Sequence, residues 1–147
     1  MPFTQEQIDT LASSYALLEP RLDEVVSDFY DRLFRTAPSV RELFPNDLSG
    51  QKGHLAASLR LVAQHVANID ALAEPLRDMG ARHVGYGTQE AHYPVVRDTL
   101  IASMAEFAGD AWNGDIDEAW TTALNTIAGF MIEGARASES GSQSQAA

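Results

Sequence analysis

Apolar residues recur at helical spacing along nearly the whole chain. Ile8, Leu11, Tyr15 and Leu18 make a first stripe, and Thr4 followed by Gln7 has the form of a capping box that predicts its start. Pro20 suits the first turn of a second helix, where Leu22, Val25, Val26, Phe29, Tyr30, Leu33 and Phe34 give a wide buried face. Pro38 restarts a short turn that ends near Phe44, and FPNDLSG reads as a loop. A third long helix carries Leu48, Gln51, Leu55, Leu59, Val62 and Val66. Asp70 is expected to cap a fourth, with Leu72, Leu76, Met79 and His83 inward and Gly85 and Gly87 ending it. A fifth runs from about His92 to Phe107 with Tyr93, Val96, Leu100 and Met104 inward. After GDAWNGD, the last helix holds Ile116, Trp120, Ala123, Ile127 and Met131. No segment has strand period, and there is no internal repeat. The expectation is an all-α domain over 1–137 and a disordered Ser- and Gln-rich tail over 138–147.

Composition narrows the class. A chain of 147 residues is the size of one domain and buries about two-thirds of its unfolded surface. Net charge is −11, which argues against a phosphate backbone or an anionic membrane as partner. The start MPFTQEQ has neither the basic end nor the apolar core of a signal peptide. No apolar run approaches the roughly 20 residues that span a bilayer. There is no Cys, hence no disulfide, no thiolate metal site and no thioether-linked cofactor. These features read as a cytoplasmic protein.

Three polar residues sit on stripes that otherwise read as core: Tyr30, Gln51 and His83. An unpaired buried polar group costs about 1–3 kcal/mol, so three of them ask for a partner. Each also has a plainer reading. His83 reads as a core histidine bonded to a carbonyl, Tyr30 as a core aromatic whose hydroxyl finds a carbonyl or water, and Gln51 as a helix-edge residue. A structural zinc site needs four protein ligands, and His54, His65 and His92 stand at no ligand spacing from His83. A haem iron needs one, since the porphyrin supplies the rest.

The motifs FYDRLF, RELFP, GQKGHL, ARHVGYGTQEAHYPVV and DEAWTTALNTIAGFMI follow one another from about Thr4 to Glu133. In order and interval they resemble the bacterial single-domain globins and the haem domain of flavohaemoglobins. The stretch from Arg82 to Val96 carries most weight, with a histidine at 83 and His-Tyr-Pro at 92–94. The resemblance implies the globin fold, a three-over-three helical sandwich around haem b (iron protoporphyrin IX). It makes His83 the proximal iron ligand and sets Tyr30 and Gln51 on the distal side. It has Phe44 stack on the haem and Leu55 bound the distal cavity. Met79 lies under the haem, Tyr93 lines the proximal side, and Arg82 and His54 are partners for the propionates. Charge that builds up on bound dioxygen is stabilised by a phenol and an amide donating to it.

The chain departs from that pattern in two ways. No flavin- or nicotinamide-binding region follows the haem domain within these 147 residues. The glutamate that polarises the proximal histidine in flavohaemoglobins is replaced by Ala135, and Glu133 should point to another face. His83 is then expected to bond a backbone carbonyl about one turn earlier, near Met79. The functions implied are reversible binding of dioxygen or another diatomic gas, NO or CO, for storage, delivery or sensing, or else nitric-oxide dioxygenation fed by an external reductase. A haemless helical signalling module is the third alternative, and it has no use for His83, Tyr30 and Gln51 together.

Overall fold

The computed structural model describes residues 3–85 and 87–146, with side chains described as far as 138. The tail expected at 138–147 therefore lies, but for its first residue, outside the fully described part.

There are six α-helices, most of them linked through short 3-10 segments: α1 (Gln5–Leu18), α2 (Leu22–Thr36), α3 (Ser49–His65), α4 (Ala73–Gly85), α5 (His92–Ala108) and α6 (Gly114–Ala146). The described residues include no strand. Thr4 and Gln7 form the expected capping box, each side chain taking the other's backbone N–H. Pro38 opens the 3-10 segment Pro38–Leu43, which leads into Phe44. Asp47 takes the Ser49 N–H at 3.0 Å where α3 begins. The entry to α4 differs from expectation. Asp70 lies inside the third 3-10 segment, Val66–Leu72, and its backbone carbonyl accepts the Ala73 N–H. The chain kinks at Asn68 (φ −144°, ψ 62°), so the apolar residues Val66, Ile69 and Leu72 are buried from a 3-10 geometry that a 3.6-residue period does not describe.

The helices form two crossing layers. α2 packs on α5, α4 along α6, α1 against α5 and α6, and α3 on α2. Stripes from all six helices supply the core, including Leu11, Val25, Val26, Leu33, Met104 and Trp120, each no more than 2% exposed. Fully buried Trp120 donates its indole N–H to Ser14 at 2.9 Å. α3 and α4 share no packed interface. Gln51, His54 and Leu55 lie on α3, Met79, Arg82 and His83 on α4, Tyr30 on α2 and Tyr93 on α5.

Candidate haem site

The amphipathic face of α2 carries Tyr30 to the inside, where it is 6% exposed. Its ring meets Phe29 at 4.9 Å, Phe44 at 5.7 Å and Phe34 at 6.0 Å between centroids. No described residue bonds its hydroxyl, and burial alone pushes the phenol pKa up to about 12. The phenol is thus a fixed neutral donor. Phe44 also stands edge-on to Phe34 at 5.5 Å. Gln51 is half-buried in the first turn of α3, and Leu55 is half-buried one turn later. His54 lies on the exposed side of the same helix.

His83 is half-buried in the last turn of α4. Its Nδ1 stands 2.7 Å from the Met79 carbonyl oxygen. A carbonyl can only accept, so Nδ1 carries the proton and the ring's lone pair is on Nε2, the tautomer that ligates a metal. Met79 is half-buried, whereas Arg82 is exposed. The Tyr93 hydroxyl is buried without a hydrogen-bond partner. Burial first, and then the nearby Glu90 charge, push its pKa up. Glu90 itself is held by Arg136 through bonds of 2.8 and 2.9 Å. Glu133 pairs with Arg77 at 3.5 Å on the outside of α6, where it is 58% exposed. Ala135 is half-buried.

The fit of a flat apolar group can be judged from burial along the stripes. On α3, Leu59 and Val62 are buried, but Gln51 and Leu55 at the other end are only half covered. On α4, Leu76 is buried and Met79 and His83 are half covered. On α5, Leu100 and Met104 are buried, but Tyr93 and Val96 are half covered. Every one of these stripes loses its cover at the end that carries a candidate residue. Apolar surface left open in this way calls for an apolar occupant. Among the described residues, no group of three or more His, Cys, Asp or Glu could hold a bare ion. A single oriented imidazole on a half-covered apolar stripe suits a porphyrin-borne metal, which needs one protein ligand.

Comparison with known proteins agrees. The globin family model matches residues 27–131. This chain belongs to the globin family. The globin is 29% identical over 133 residues to a flavohaemoprotein of Vibrio cholerae, covering 88% of this chain and 34% of that protein. It thus spans about a third of the length of that relative. A bacterial globin from Campylobacter jejuni superposes with a TM-score of 0.80 at 24% identity, over 90% of this chain and 96% of its own. An engineered carbene transferase from Rhodothermus marinus, whose parent carries a provisional nitric oxide dioxygenase assignment, superposes with a TM-score of 0.83 at 23% identity over 99% of both chains. Membership of the family implies a haem cofactor. No described helix of the globin is long and apolar enough to cross a membrane.

Sequence reasoning passed over Arg41. Its guanidinium donates to the carbonyls of Phe44 at 3.3 Å, Pro45 at 3.0 Å and Asn46 at 3.1 Å. It also lies over the Phe34 ring, 5.0 Å from the centroid. Arg41 therefore ties down the corner that presents Phe44. The signal available was an arginine three residues before the phenylalanine of RELFP, which on a solvated turn is indistinguishable from a surface charge.

Proposed function

We propose that this globin binds one haem b per chain through His83 and reversibly holds a diatomic gas, dioxygen above all, beside Tyr30 and Gln51. Haem iron supplies an open position for the gas; the chain's own residues decide how firmly it is kept. The observation that carries the reading is the Tyr30 hydroxyl, a neutral donor on an almost fully buried ring with no protein partner. No protein group competes for that donor, so it is available to a ligand that accumulates negative charge. His83, with Nδ1 bonded to the Met79 carbonyl, has the tautomer whose Nε2 can ligate iron. Phe44 and Leu55 exclude water from the distal side, Met79 and Tyr93 line the proximal one, and exposed Arg82 and His54 are suited to the propionates. Absence of Cys and the net charge of −11 support a cytoplasmic setting away from nucleic acid and anionic membranes. The test is the visible spectrum of the ferric, ferrous and gas-exposed protein beside that of His83→Ala. Loss of haem from the variant is the expected result. Wild-type haem content and spectrum in His83→Ala would overturn the assignment.

The likeness to flavohaemoproteins and to the Rhodothermus protein favours a second reading, nitric-oxide dioxygenation with electrons from a separate reductase. Nitrate formed catalytically from nitric oxide and dioxygen with a generic reductase would establish it. Stoichiometric consumption alone would leave a binding protein.

A further inference from the structure

Two glycines fall in helix interiors, where glycine is a poor choice, on the faces along which α4 and α6 meet. A Cβ on Gly80 would overlap the Met131 carbonyl oxygen, and a Cβ on Gly134 would overlap the Arg77 carbonyl oxygen. The contacts are reciprocal. Residue 80 meets 131 and residue 77 meets 134, so the helices run antiparallel here, each giving one carbonyl and one glycine notch. Both glycines are buried. The Arg77 side chain closes the same seam, with its guanidinium 5.4 Å from the Phe130 ring centroid and 3.5 Å from Glu133. Backbones this close are held by many small Cα–H···O and dispersion contacts.

The seam ends beside the proximal histidine. Gly80 follows Met79, whose carbonyl takes the His83 Nδ1 proton, and the next turn carries His83 itself. Sliding α4 by one residue would bring Met79 or Ala81, each with a Cβ, against the Met131 carbonyl. Rotating it would expel the Arg77 carbonyl from the Gly134 notch.

We propose that Gly80 and Gly134 are positioning residues for His83: by interlocking α4 with α6 they fix the proximal imidazole, so that α6 sets the strength of the iron–histidine bond. This rests on His83 being the iron ligand.

Gly134→Ala and Gly80→Ala test it in the haem-loaded protein. Gly129→Ala serves as control, because a Cβ there meets nothing within 4 Å on the same helix. The readouts are the iron–histidine stretching band of the ferrous gas-free form and haem transfer to an acceptor apoglobin. In the notch variants the band should shift or broaden and transfer should be about tenfold faster, because overpacking costs of this kind are large. The control should leave both unchanged. Notch variants that lose thermal stability with an unmoved band and unchanged transfer would reduce the glycines to a structural role and overturn the proposal. If neither variant folds, amide exchange in the wild-type holoprotein decides. An interlocked α4 stays as protected as the middle of α6 with and without gas, and loop-like exchange in α4 overturns the interlock. Wild-type haem binding by His83→Ala would instead remove the ligand assignment, whatever the glycine variants do.

Discussion

The rings of Tyr30 and Phe44 meet edge to face, 5.7 Å apart and at 78°, although they come from α2 and from the turn beyond it. Arg41 maintains that meeting by gathering the carbonyls of residues 44–46. Arg41→Ala should cost about 1 kcal/mol of stability, read from the urea midpoint, since the bonds are to neutral, partly exposed acceptors. It should also speed haem loss by freeing Phe44. Arg41→Lys should behave like alanine, because an ammonium cannot span three carbonyls from above a ring. Full rescue by lysine would mean that charge, not the planar fork, matters there.

Tyr30→Phe separates the two roles of the phenol. With gas bound, loss of a hydrogen bond to a charged acceptor should speed dioxygen release about 10- to 100-fold. Carbon monoxide, which carries little charge when bound, should respond less. Equal effects on the two gases would show that Tyr30 acts by bulk. Without gas, the substitution removes a hydroxyl that has no protein partner, so stability should be unchanged or slightly higher.

The same phenol predicts an alkaline limb. Its pKa rises from 10.0 to about 12 on folding. A raised pKa stabilises the fold fully below pH 10, and that contribution is lost as pH climbs through about 12. Stability of the wild type should fall across this window, and Tyr30→Phe should fall less steeply. Parallel curves for the two proteins would show that other groups set the limb.

What could be read from the sequence was whatever depends on local period. The stripes through Leu11, Val25 and Trp120, the capping box at Thr4 and the turn into Phe44 are short-range patterns, and each is found in place. The His83–Met79 bond was also legible, because a histidine lacking a carboxylate partner turns to the carbonyl one helical turn back. Asp70 misled because a good capping residue does not reveal that the chain around it has tightened to 3-10 geometry. Gly80 and Gly134 could not be paired by inspection, since their meaning lies in the backbone of another helix. Periodicity marked Tyr93 only as an inward position and the resemblance set it on the proximal side, but neither could show that its hydroxyl is buried without a partner.

Asp28 shapes the acid limb. Burial works to raise its pKa, but hydrogen bonds from Arg32 and Ser103, with the Arg32 charge, outweigh it and hold the carboxyl below its usual 3.8. The Ser103 bond, 2.8 Å long, joins α2 to α5. A depressed carboxylate stabilises the fold above pH 3.8, and that contribution is lost as pH falls through the folded value. Asp28→Asn should therefore be less stable than the wild type near neutrality, and the two should converge in acid. A difference that persists unchanged to low pH would place the effect in packing.

Proximal electronics follow from what faces His83. A carboxylate accepting the imidazole proton makes the ring more anionic and pushes electron density toward iron, which favours O–O cleavage. Here the acceptor is the Met79 carbonyl, a weaker one. Glu133 does not compete, because it is 58% exposed and paired with Arg77. The iron–histidine stretching band of the ferrous protein should therefore lie in the range of oxygen-binding globins, with weak peroxidase activity. Ala135→Glu places a carboxylate at a half-buried position two residues further along α6. If that face of α6 reaches the proximal side, the carboxylate takes the Tyr93 hydroxyl, which is buried with no bond of its own, and draws on the imidazole proton. The band should move toward the peroxidase range and peroxidase turnover should rise. The pair Ala135→Glu with Tyr93→Phe should show a smaller shift if the phenol orients the new carboxylate. An unmoved band in Ala135→Glu would show that this face of α6 does not reach His83. A peroxidase-like band already in the wild type would mean that the Met79 carbonyl is not the acceptor in solution.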